Sequence, residues 1–120
     1  MGMDLNILPQ YGENADFAHD IISLDRDYDL FDIIQGVEAE NGRDVPRNGI
    51  ATYLCSDDAF EERHYGKTTV TPYGDIIKGV QAGKLKAAVQ HYVTESWRNK
   101  ATIAYIMELP DTLEVYLFWC

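Results

Sequence analysis

The chain has 120 residues, and those best suited to chemistry lie near its middle. Glu61-Glu62-Arg63-His64 contains one Glu-x-x-His, a spacing that sets both side chains on one face of a helix, and Asp57 can share that face. A di-iron carboxylate centre needs two such motifs plus two further glutamates on long helices. His91 with Glu95 is only a loose second copy. The stretch therefore reads as solvated and acidic, with Glu61 and His64 as its metal-spaced pair and no cofactor expected. Nucleophilic chemistry has less support. Cys55 precedes Ser56-Asp57-Asp58, whose negative charge disfavours a thiolate. Ser23 and Ser56 lack a Gly-x-Ser-x-Gly setting. His19 and Asp20, as strand neighbours, point to opposite faces. Carboxylates are numerous enough that a glycosidase-like pair could be drawn in many places, so the pattern selects none.

Phosphate-binding loops of the Gly-x-x-x-x-Gly-Lys-Ser/Thr and Gly-x-Gly-x-x-Gly kinds are absent. Gly79-Val80-Gln81-Ala82-Gly83-Lys84 places two glycines and a lysine before a helical stripe. An anion could meet the amides of that helix start beside Gly83, Lys84 and Lys86. The competing account is a strand-to-helix turn that uses glycine for its geometry. Lys84, Lys86, Arg98 and Lys100, interleaved with Tyr92 and Trp97, have the composition of a stacking surface for nucleic acid. Solvated helix faces explain these cations equally well, and the charge of the whole chain decides between the two.

That charge is −10, from 20 acidic and 10 basic side chains, which works against polyanionic partners such as nucleic acid and anionic lipid. It is unevenly spread. Residues 1–62 hold 15 acidic against 3 basic side chains, a net −12, whereas the remaining 5 against 7 give +2. Asp25, Asp27, Asp29 and Asp32 surround Tyr28 at the opening of a helical stripe. Asp57, Asp58 and Glu61 are followed by Tyr65 and Tyr73. Tyrosine among carboxylates is the composition of an interface anchor, because its ring supplies contact area at low entropic cost. These ten residues are the expected partner-binding set, and the expected partner is a protein with a basic surface. In size and charge the chain resembles, at the level of class, small acidic immunity proteins and phage anti-defence inhibitors; no motif is specific to either. The alternatives are a small metal-dependent or carboxylate enzyme near Asp57–His64, and an anion or nucleotide binder at Gly83–Lys84.

The elements that must position these residues follow from periodicity. Strands are expected over Met3–Leu8, His19–Leu24, Ile50–Cys55 and Thr68–Thr71, with Asp75–Val80 returning as a hairpin partner of the last. Leu30, Ile33, Ile34 and Val37 form a helical stripe that Asp27 or Asp29 can cap and Asn41-Gly42 can stop. Leu85, Ala88, Val89 and Tyr92 repeat the stripe over roughly residues 82–93. Ser96 can cap a helix from Trp97 to about Glu108 whose apolar residues nearly surround its axis, implying deep burial. Thr112–Trp119 is apolar on both faces and belongs inside a sheet, or against its own copy in a homodimer. The fold class is α+β, one domain with a mixed or antiparallel sheet and two or three helices on one face. With 46% hydrophobic residues the composition is that of a globular domain. The run Val115–Cys120 is too short to cross a membrane, no leader pattern opens the chain, and free thiols at Cys55 and Cys120 suit a cytoplasmic setting.

Overall fold

The computed structural model describes residues 4–10, 22–44, 50–53, 65–68 and 75–119. In chain order these form β1 (Leu5–Pro9), β2 (Ile22–Ser23), α1 (Tyr28–Asn41), β3 (Arg43–Asp44), β4 (Ile50–Tyr53), β5 (Tyr65–Thr68), β6 (Lys78–Gln81), α2 (Ala82–Val89), α3 (Trp97–Glu108) and β7 (Glu114–Trp119). The architecture is α+β. Five strands make one antiparallel sheet in the order β2-β1-β7-β6-β3, and β4 pairs with β5 in a separate ribbon.

The central place of β7 follows from its sequence. Val115, Leu117 and Trp119 project from one face and Tyr116 and Phe118 from the other, and all five are buried. A strand so apolar needs neighbours on both edges: β1 takes one, with Leu5 opposite Trp119 and Ile7 opposite Leu117, and β6 takes the other, with Val80 opposite Val115. The helices cover the face of Leu5, Ile7, Val80, Val115 and Leu117. On α1 the stripe Leu30, Ile34 and Val37 is buried as its spacing requires. Each such side chain contributes roughly 1.5–3 kcal/mol. Phe31 joins them and meets Trp119 edge to face, with ring centres 5.5 Å apart.

Gly42 ends α1 in extended geometry, its N–H donating to Glu38 O. The need for glycine here is proximity, since a Cβ would lie 2.4 Å from that oxygen. At Gly79, opposite Tyr116 in the register, a Cβ would lie 2.6 Å from the tyrosine ring. The ring therefore lies across the space that glycine leaves.

Three expectations change. Lys78–Gln81 pairs with β3 and β7, and Thr68 pairs with Ile50 of β4, so the hairpin joining Thr68–Thr71 to Asp75–Val80 does not form between their described residues. Helix α2 stops at Val89, where Gln90 N donates to Lys86 O and Tyr92 N to Val89 O in a closing turn, and the Tyr92 hydroxyl is bonded to the Asp27 cap of α1. Helix α3 has the expected bounds but lies at the surface, burying only Asn99, Thr102 and Ile106. Asn99 faces inward to the Asp25 backbone, while Thr102, also buried, bonds back to Arg98 O of its own helix, and Trp97 is left exposed.

Candidate protein-binding site at the Asp25–Asn99 junction

The segment from Asp25 to Asp27 leads from β2 into α1 and meets the start of α3 through side-chain bonds. Ser96 caps α3, its Oγ accepting from Asn99 N at 3.1 Å and donating to Asp25 Oδ2 at 2.6 Å. The amide of Asn99, fully buried, accepts from Asp25 N at 2.8 Å and donates to Asp25 O at 3.0 Å. Arg98 Nη1 stands 3.6 Å from Asp25 Oδ1. Asp27 caps α1 through Leu30 N at 3.2 Å. Its two carboxylate oxygens also accept from the Tyr92 hydroxyl at 2.6 and 2.7 Å. That bond, with burial and the nearby negative charge, pushes the Tyr92 phenol up to about 12. Two helix N-termini thus each hold one of these carboxylates, where the helix dipole favours negative charge.

Around this bonded junction the adjacent residues face solvent. Tyr28, Val93 and Trp97 each follow a junction residue in sequence and are 58%, 85% and 74% exposed. Arg98 lies over the Trp97 ring, 5.7 Å from its centre. Asp29 and Asp32 are exposed on the outer side of α1, and neither forms a salt bridge with a described residue. Tyrosine, tryptophan and arginine held by a rigid frame are the residue types that carry binding energy in protein interfaces.

Beside the junction, α3 and the edge strand β2 enclose a groove of about 520 Å³ lined by Ile22, Ser23, Trp97, Arg98, Ala101, Thr102 and Tyr105. A second hollow of about 530 Å³ shares Ser23 and Arg98 with it and is bounded by Asp4, Asn6, Leu24, Asp25 and Arg26. Its charges are paired, Arg26 with Asp4 at 2.7 Å and Arg98 with Asp25. Among the described residues no group of three His, Cys, Asp or Glu side chains could hold a metal ion.

The sequence-derived partner set is divided by this geometry. Asp25 and Asp27 are engaged within the chain, whereas Tyr28, Asp29 and Asp32 face outward. Asp57, Asp58, Glu61, His64 and Tyr73 lie outside the described residues, and Tyr65 opens β5 opposite Tyr53. At the α2 start, Ala82 N and Gly83 N donate to Leu113 O and Asp111 O, and Lys86 Nζ pairs with Asp111 Oδ1 at 2.8 Å. Two amides an anion would need are therefore already used, and Lys84 is left exposed. Sequence reasoning missed Asn99 as the tie to Asp25. Its only local signal is its place three residues after the Ser96 cap, and the other half of the bond is 74 residues away. No protein-family model, curated protein or solved structure matches this chain.

Proposed function

We propose that this protein is a binding and inhibitory module that presents the opening of α1 to a protein with a basic surface. One observation carries the reading: Tyr28 is exposed between a bonded junction and the carboxylates of Asp29 and Asp32, which form no salt bridge with a described residue. The Tyr28 ring packs edge to face against the buried Phe31, with ring centres 6.2 Å apart, on a helix start capped by Asp27, which reduces the ordering entropy lost on binding. The surrounding charge speeds encounter with an Arg/Lys-rich cleft and gives the association a steep salt dependence. Occupation of such a cleft would block its access to a natural anionic substrate, which is the inhibitory half of the proposal.

The test separates outward residues from structural ones. Immobilised protein is offered to a native lysate at low salt, alongside a Tyr28→Ala/Asp29→Asn/Asp32→Asn variant that leaves Asp25 and Asp27 intact. Capture of one basic protein by the wild type and its loss from the variant supports the reading. Equal retention by both, or retention of nothing, rejects it.

A further inference from the structure

We propose that the outer edge of β2 beside the α3 groove, unpaired among the described residues, takes an extended segment of alternating apolar and basic residues from the partner, added as a further strand. The proposal rests on the partner being a basic protein.

Leu24 N donates to Leu5 O at 3.1 Å, and Ser23 lies opposite Asn6. Polar backbone groups alternate sides along a strand, so those of Leu24 face β1 while those of Ser23 and Asp25 face away. At Asp25 the outward N–H and C=O are both taken by the Asn99 amide, which imitates a neighbouring strand. Two residues earlier, roughly 7 Å along the strand, the N–H and C=O of Ser23 have no partner among the described residues. Ser23 is exposed there, and it lines the groove. An unpaired edge of this kind is a template for strand addition.

The groove wall selects the side chains. Trp97 and Tyr105 stand two turns apart on α3, about 12 Å along its axis, with the small Ala101 between them. The slot over Ala101 suits an apolar side chain, and Arg98, the charged residue lining the groove, is paired with Asp25. In an added strand the next side chain points to the opposite face. That face is turned away from the helices, and a basic residue there is favoured by the net charge of −10 on the whole chain. The same charge disfavours a second copy as the occupant, since two such chains repel.

The test uses a fluorescent peptide of alternating lysine and leucine, titrated into the full chain at low salt, and the same peptide N-methylated at every second residue. Ser23→Pro removes the outward donor at a position where an edge strand tolerates proline. Ser23→Ala keeps that donor, and Ala101→Trp fills the slot from an exposed site. Wild type and Ser23→Ala are expected to bind alike. Ser23→Pro, Ala101→Trp and the methylated peptide should each weaken binding by about tenfold or more. Equal binding of the two peptides, or no binding by the wild type, overturns the proposal, as does Ala101→Trp binding like wild type. A dimer of the wild type that Ser23→Pro dissociates, seen by sedimentation, replaces the partner with a second copy and also overturns it. Asp29→Asn/Asp32→Asn distinguishes the two claims. Loss there with no effect of Ser23→Pro or Ala101→Trp leaves the acidic surface standing and removes strand addition; the reverse pattern does the opposite.

Discussion

The Tyr92 hydroxyl donates to both carboxylate oxygens of Asp27, at 2.6 and 2.7 Å, and so ties the segment after α2 to the cap of α1. This bond exists only while Tyr92 is protonated. Its phenol is raised to about 12, chiefly by the hydrogen bond to Asp27, from an unfolded value of about 10. The folded state therefore binds more protons between these values, and the stability from this pair is complete below pH 10 and lost as pH climbs toward 12. Tyr92→Phe should cost about 1 kcal/mol at pH 7 and flatten that alkaline loss, as read by urea unfolding at several pH values. An unchanged alkaline slope in the variant would show that Asp27 and Tyr92 are not coupled.

Asn99→Leu should be the most damaging single change at the junction. It leaves the N–H and C=O of Asp25 unanswered beneath a buried side chain, a loss of about 2–4 kcal/mol. Asn99→Asp keeps the acceptor for Asp25 N but faces a carboxylate toward Asp25 O. Its destabilisation should shrink as pH falls and the new group protonates. Thermal melts at pH 7 and pH 4 check both statements.

Gly79→Ala should destabilise by about 1–3 kcal/mol, because the added methyl meets the Tyr116 ring and the Glu114 carboxylate, each 2.6 Å from the ideal Cβ position. The ring is the fixed neighbour, buried in the sheet, so a second change of Tyr116 to Val should recover part of the loss. Denaturant midpoints of the single and double variants give the coupling directly. Additive effects would mean that the ring does not lie across Gly79.

Glu38 is partly buried and accepts from Trp119 Nε1 at 3.3 Å. Burial raises its carboxyl above the usual range, so the folded state holds this proton more tightly than the unfolded chain. The contribution is favourable at acid pH and is lost as pH rises through the raised value, leaving a charged group that costs stability at pH 7. Solvent screens much of this penalty at a half-exposed carboxylate, so Glu38→Gln should stabilise only slightly at pH 7 and make little difference below pH 4. Equal effects at both pH values would contradict the assignment.

What was legible in the sequence divides by range. Leu30, Ile34 and Val37 announce α1 through spacing alone, and the apolar faces of β7 announce a central strand, because both signals are local. Ser96 as the α3 cap is local as well. The depth of α3 was misjudged because periodicity counts apolar residues and takes no account of what polar ones bind. Asn99 turns inward to the N–H and C=O of Asp25, and Trp97 is left outside. The acidic cluster showed the same limit. Composition set Asp25, Asp27, Asp29 and Asp32 side by side, whereas Ser96, Asn99 and Tyr92 take the first two from a distance of at least 65 residues in the chain.

The central claim is that the outward residues of the α1 opening recognise a basic protein. The most direct measurement is the affinity of a partner captured by this chain, compared across wild type, Tyr28→Ala/Asp29→Asn/Asp32→Asn and Tyr92→Phe at two salt concentrations. The triple variant should lose at least about a hundredfold in affinity and most of the salt dependence, while Tyr92→Phe, once folded, keeps most of its binding. Wild-type affinity in the triple variant, with salt dependence unchanged, would contradict that claim.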